Sequence, residues 1–534
     1  MRVLYNAKIR TLDPENPTAT ALAVNRGRVA LVGSDAEVMG AVENGPAVKQ
    51  DMRGQTIWPG LVDAHVHLQH YAFALQMVDC ETSTRAECLR RVEEKARRTP
   101  AGEWLRGHGW NQNNWQEGFG TTRELDAASP DHPAYLTAKS LHAAWANSLA
   151  LRAAGITRAT PDPQGGRIGR DETGEPNGLL FESAMRLVED AIPAPTAKTV
   201  AQAIGEAQKN LWQFGITGVH DYDGAVCFTA LQMLQEQGQL LTRVVKGIRL
   251  ENLEDAIALG LRTGFGNDFL RTGSVKLFAD GALGPQTAAM LQPYEGAGQG
   301  AEKQNMGILL LDNEQIFEYG QQATANGISM AIHAIGDRAN HEVLLGYAQL
   351  RRFERERGLP ALRHRIEHVQ VLHPDDYGRL AELGVIASVQ PIHATSDMHM
   401  ADRYWGSRSA GAYAFRTLIE RGTRVCFGSD APVESPNPFL GLHAAVTRQR
   451  ADGSPGEAGW YPVQRLALEE ALQGFTTGPA YACGQEHQQG KLVRGYYADL
   501  IVLAQDPFAM PVKDLQALRP TATMVGGEWA WRAE

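Results

Sequence analysis

Eight short apolar runs, separated by stretches of helical character, set the strongest limit on what this 534-residue chain can fold into. They are residues 57–67, 215–221 (GITGVHD), 244–250 (VVKGIRL), 274–280 (SVKLFAD), 328–333 (ISMAIH), 365–369 (RIEHV), 385–390 (VIASVQ) and 424–430 (RVCFGSD). Strands that alternate with helices pair in parallel, because each return crossover needs a dozen or more residues. Eight such units are the number that closes a (β/α)8 barrel of the TIM type. The stretches between the runs agree: Leu468, Ala471, Leu472 and Phe475 fall at i, i+3, i+4 and i+7, one face of a helix. The expected class is therefore α/β, with a TIM-like barrel from 56 to 487.

The two chain ends have a different texture. Residues 1–55 and 488–534 read as short strands and turns, with 3–5, 21–24, 28–32, 498–503 and 522–525 strand-like. Asn25-Arg26-Gly27 reads as a three-residue hairpin loop and Gly526-Gly527 as a turn. Both ends together make one small composite β-sandwich, or each makes a module of its own; the residues admit either. A further stretch, about 70–210, is too long for a single crossover. It combines a charged, helix-like segment at 85–98 with a loop at 161–178 rich in Gly, Asp and Pro, and reads as an insertion over the barrel mouth.

Composition narrows the class of function. A formal charge of −10 and a pI near 5.9 argue against a nucleic-acid binder, which carries a basic patch or a basic overall balance. Five widely spaced cysteines, none in a Cys-x-x-Cys pair, exclude a disulfide framework and a thiolate zinc site. The first residues turn polar too early for a secretory signal, and no apolar stretch approaches the length of a membrane span. A soluble cytoplasmic enzyme is expected, with no membrane or nucleic-acid partner. Enzymes of this size are often symmetric, so a homo-oligomer is a further expectation.

The chemistry lies at the ends of the runs. In a barrel of this kind the working groups sit at the C-terminal ends of the strands. His65 and His67 close the first run, two residues apart and so on one face of a strand. Lys276 lies late in the fourth, His333 ends the fifth, His368 is near the end of the sixth, and Asp430 ends the eighth. Six ligand-capable groups converging on one end of a barrel would be costly to bury unpartnered, and a bound metal supplies their partner. Lys276 decides what kind of site this is. Flanked by Val275 and Leu277, it is expected to have a depressed pKa, and a neutral lysine can take up carbon dioxide to give an anionic carbamate able to bridge two ions. The alternative is an ordinary lysine beside a single metal.

Taken in order, PGLVDAHVH, SVKLFADGALGPQTA, AIHAIGDRAN, HRIEHVQ, ASVQPIHATSD, GSDAPVESPNP and GKLVRGYYADLIVL resemble the amidohydrolase superfamily, in particular its amidohydrolase-3 branch, which includes N-substituted formamide deformylases. The likeness covers nearly the whole chain. It implies a composite sandwich around a (β/α)8 barrel and two divalent ions. His65 and His67 would hold one ion and His333 and His368 the other, with a Lys276 carbamate between them and Asp430 as ligand and proton carrier. Imidazole and carboxylate donors suit Zn²⁺ best, with Fe²⁺ or Mn²⁺ as alternatives. The implied reaction is attack by metal-bound hydroxide on a non-peptide carbon–nitrogen bond, an amide or formamide of a small molecule. A mononuclear aminohydrolase (deaminase), a lactone or ester hydrolase and a scaffold that has lost its activity are the rival readings; the intact ligand positions speak against the last.

Other residues are candidates for substrate contact or catalysis. His393 follows the seventh run and is placed to steady a carbonyl or tetrahedral oxygen. His142, in the insertion, resembles a position that this branch keeps near its pocket, and Trp110, Asn111 and Trp115 of GHGWNQNNW are expected to line an aromatic substrate site. His220 and Asp221 end the second run without an implied ligand role. Glu367, next to His368, is expected by alternation to face away from the metals.

Overall fold

The computed structural model describes residues 1–43, 45–112, 115–139, 143–295 and 304–533. Eight parallel strands form one sheet: β1 (Leu61–Val66), β2 (Ile216–Asp221), β3 (Arg243–Arg249), β4 (Leu270–Phe278), β5 (Met330–Ala334), β6 (Arg365–His368), β7 (Ile386–Val389) and β8 (Val425–Phe427). Each pairs with its neighbour in chain order, from β8 across to β1. The last gap closes through a single parallel bridge, Val66 to Ala431, with Asp430 N–H donating to the His65 carbonyl at 2.8 Å. The barrel expected from the eight runs is present, and its seam carries Asp430.

Helices cover the strands because their apolar stripes match. In the longest, Asp337–Arg357, Val343, Leu344, Tyr347 and Leu350 are buried on one face. That helix stops at Gly358, whose φ of 62° is the left-handed conformation of a glycine C-cap. The region 468–475 is helical through Gly474, with Ala471 and Leu472 buried as their spacing requires.

The first apolar run is divided. Thr56–Pro59 belongs to a second sheet, where it pairs antiparallel with Leu500–Leu503 and parallel with Lys8–Arg10. Gly60 is the point of change, and only glycine fits: a Cβ there would lie 2.4 Å from Thr217 Oγ1. That six-stranded sheet also holds Thr18–Ala19, Ala522–Val525 and Glu528–Arg532, and a four-stranded sheet consists of Arg2–Tyr5, Ala21–Asn25, Arg28–Gly33 and Val48–Asp51. Leu4, Leu22 and Val24 share a core with Ile57, Leu500 and Met524. The hairpin at Asn25 is tighter than the expected three-residue loop. Asn25 pairs with Arg28, leaving Arg26 and Gly27 as a two-residue turn with φ of 49° and 78°, the twist that suits two right-handed strands.

Residues 72–199 form a separate compact unit. Its sheet runs Gly166–Arg170, Pro176–Glu182, Ala143–Ala146, Ala134–Ala138, Leu105–Trp110, Val78–Asp79. Trp110 and Trp115 stack within its core at 6.1 Å and 27°. Their indole N–H groups donate to the carbonyls of Leu136 and Thr82. The structure thus gives both tryptophans a packing role in place of the expected substrate contact, since their surface and their polar atoms are used up inside the unit. His142 lies outside the described residues. Among the described residues no helix is long and apolar enough to cross a membrane.

Candidate metal centre

Strand β1 is buried along its whole length, and alternation carries His65 and His67 to one side, ring centroids 5.8 Å apart. Each points Nε2 at Asp430 Oδ1, 3.5 Å away in both cases. Asp430 reaches them from the seam, with φ of 61°. Gly428 lets the two segments approach: a Cβ there would sit 2.6 Å from the His65 nitrogen.

His333 and His368 stand opposite. Their rings lie 4.5 Å apart, and His368 lies 5.0 Å from His65. How His368 gets there differs from the sequence expectation. Regular alternation would put only one of Glu367 and His368 inside the barrel, yet both are there. Glu367 is completely buried, with Oε2 2.7 Å from His65 Nδ1. His368 then turns back through a left-handed backbone, φ 76°, followed by Val369 at 45°. The expectation that Glu367 faces away is therefore overturned, because the strand ends irregularly at the very residue that matters.

Lys276 projects from β4 among these groups, almost fully buried, its Nζ 4.8 Å from the Tyr222 ring centre and 5.1 Å from that of Phe278. No hydrogen bond or ion pair holds it among the described residues. Burial lowers its pKa to about 8, opposed by the carboxylates of Glu367 and Asp430. His393, from the helix Pro391–Ser396, stacks parallel to His368 at 6.2 Å, and its Nε2 is buried with no partner.

Each of the four ring ligands expected from sequence is held by one nitrogen and free at the other. His65 Nδ1 bonds Glu367, His67 Nδ1 bonds Asp223 Oδ1 at 3.2 Å, and His368 Nδ1 bonds Gln390 Oε1 at 2.9 Å. His333 is reversed: its Nε2 donates to the Gly281 carbonyl at 2.9 Å, leaving Nδ1. Glu367, Asp223 and Gln390 had no role in the sequence reading. The one available signal for Asp223 was its place just past the end of β2, where barrels of this kind put working groups.

Electrostatics favours the state that binds metal. Burial drives the pKa of His65 and His368 well below the ordinary value, aided by Lys276 and the neighbouring rings, and brings His333 to about 3 and His393 to about 4. All four are neutral near pH 7, with lone pairs to give. Asp430 is pushed up to about 6, again by burial. Donor atoms of His65, His67 and Asp430 lie within 4.8 Å of one another, as do those of His368, His393 and Asp430. The Asp430 carboxylate and the free ring nitrogens of His65, His67, His333 and His368 make a set that a divalent cation satisfies, so the residues fit a metal.

The sequence profile of the amidohydrolase family (Amidohydro_3) matches residues 50–530. Putative amidohydrolase YtcJ of Bacillus subtilis (strain 168) is 32% identical over 98% of both chains. The N-substituted formamide deformylase of Arthrobacter pascens is 30% identical over 98% of this chain and 97% of its own. Among solved structures, an uncharacterised metal-dependent hydrolase from Pyrococcus furiosus superimposes with a TM-score of 0.78 at 28% identity, covering 95% of this chain and 99% of that one. The resemblance carried by the motifs is met: the chain belongs to the amidohydrolase family and is a metal-dependent hydrolase acting on carbon–nitrogen bonds.

Proposed function

We propose that the protein hydrolyses an amide or formamide bond of a small molecule at a centre of two divalent cations, zinc by ligand preference. The observation that carries this reading is Asp430, whose carboxylate faces the free nitrogens of His65 and His67 and also lies within 4.8 Å of a ring nitrogen of His368. The likeness to a formamide deformylase along nearly the full length of both chains supports the bond type. In this reading His65 and His67 hold one ion, His333 and His368 the other, and Asp430 is a ligand.

Bound cations supply a nucleophile at neutral pH and polarise the scissile carbonyl. The chain's own residues do the rest. Asp430, with a pKa near 6, is ionised at neutral pH yet basic enough to take a proton from the attacking water and return it to the leaving nitrogen. His393, neutral and unpartnered at Nε2, donates a hydrogen bond to the oxygen on which negative charge develops. Lys276, with its pKa lowered to about 8, has a neutral fraction able to add to carbon dioxide. The amine nitrogen would form a bond to the carbon as one C=O π bond opens and the N–H proton passes to water, and the resulting anionic carbamate would offer its oxygens to the cations.

Metal analysis of the purified protein together with a panel of N-formyl and N-acyl amines, lactones and heterocyclic amines tests this. Two ions per chain and turnover of the amides are expected. Lys276→Ala should lower the content to one, with rescue by a short carboxylic acid. A wild-type content of one ion with turnover of heterocyclic amines would replace this reading with that of a mononuclear deaminase. Two ions retained in Lys276→Ala would remove the carbamate.

A further inference from the structure

The four histidines are supported by unlike acceptors. His65 and His67 each hydrogen-bond a carboxylate and His368 a neutral amide, while His333 hydrogen-bonds a backbone carbonyl, with the Asp280 carboxylate farther off at 3.7 Å from the same nitrogen. An imidazole that donates to a carboxylate is a stronger base and a better-oriented ligand than one that donates to a neutral group, and losing such a partner costs 10–100-fold in metal affinity.

The two carboxylates are themselves held. Glu367 is gripped by Arg365, whose Nε and Nη2 lie 2.5 and 3.0 Å from its two oxygens, and Tyr222 O–H approaches at 3.4 Å. Arg365 is fixed in turn by the Ala64 carbonyl at 2.8 Å and His220 Nδ1 at 2.9 Å. Asp223 accepts from the Gln69 backbone N–H and from His70 as well as from His67. Gln390 has no comparable brace: its Nε2 is buried without a partner. Burial favours neither pair. Each combines one enclosed ring, His65 or His368, with one partly open ring, His67 at 25% or His333 at 13% side-chain exposure. The difference lies in the acceptors.

We infer that Glu367 and Asp223 are positioning residues that make the His65/His67 cation position the tight one and leave the His333/His368 position exchangeable. The inference rests on the two-cation reading above. It adds an order of loss: on chelation the ion beside His333 and His368 leaves first, and the protein passes through a state holding one ion at His65/His67.

Protein loaded with two equivalents of Zn²⁺ and titrated with a competing chelator, with metal content measured after desalting, should release its zinc in two separated steps. His333→Ala should keep only the tight step. Asp223→Asn and Glu367→Gln should each weaken the tight step about 10–100-fold and leave the loose one in place. Gln390→Glu should tighten the loose step and narrow the gap. Because Glu367→Gln disturbs the Arg365 pair and can impair folding, Asp223→Asn decides the matter alone if needed. A single-step release, or variants that weaken the loose step instead, would overturn the inference and leave the two-cation reading standing. A wild-type protein that binds fewer than two ions at saturating zinc would instead overturn that reading.

Discussion

Strands β1 and β6 each deliver a histidine to the centre, and they do so by different means. On β1 the register against β2 slips between Asp63 and Val66, and His65 and His67 still both face Asp430 with an ordinary backbone. On β6 a period of two would send His368 away once Glu367 is inside, and a left-handed residue turns the ring back. A non-glycine residue at such a φ costs about 1–2 kcal/mol and persists only where surrounding contacts hold it. Asp430, at the barrel seam, has the same kind of backbone. The end of β6 therefore does two things at the centre: it places His368 beside His333, and it supplies the Glu367 carboxylate that orients His65.

The largest effect is expected at the seam. Asn accepts the left-handed backbone, so Asp430→Asn should keep the loop and the metal while turnover falls about 10²–10⁴-fold, read as kcat against metal content. Near-normal rates would remove Asp430 from proton transfer and leave β1 and β6 as the chief sources of chemistry. A smaller effect is expected below β6. Arg365→Leu strands the Glu367 carboxylate in the barrel interior, and breaking a buried pair from one side costs about 3–5 kcal/mol, read from denaturant unfolding. Replacing both partners with leucine should recover most of that loss. If the single variant costs nothing, the Arg365–Glu367 pair does not hold the end of β6.

The smallest effect is a slope. His220, on β2, accepts from Arg365, and burial lowers its pKa from 6.5 to about 3. Its contribution to stability is complete above about pH 6.5. It is lost as pH falls towards 3, because the unfolded chain binds a proton that the folded ring refuses. Each such group adds a slope of about 1.4 kcal/mol per pH unit in that window. His220→Gln should flatten the decline of thermal stability between pH 6.5 and 4 by that amount in chelated protein, as followed by calorimetry. An unchanged slope would assign the acid sensitivity to other rings.

Much of the barrel was legible in the sequence. Apolar period, helix stripes and strand-end polarity are local properties, and they located eight strands and six ligand-capable groups at five strand ends. Where expectation and structure part, the cause is nonlocal or irregular. Glu367 was placed on the wrong side because alternation was carried one residue past the point where the strand keeps it. The tryptophans of 110–115 read as a ligand surface because an aromatic cluster looks alike whether it faces substrate or packs a core. Gly60 could not be recognised as a boundary between two sheets, since its reason is the closeness of Thr217.

Sequence by itself determined the α/β plan and the identities of the groups gathered at the barrel mouth, because both follow from residue type and spacing along one strand or helix. Only the tertiary structure decided which nitrogen of each histidine is free. That choice depends on the other nitrogen's partner, and for His65 the partner is 302 residues away.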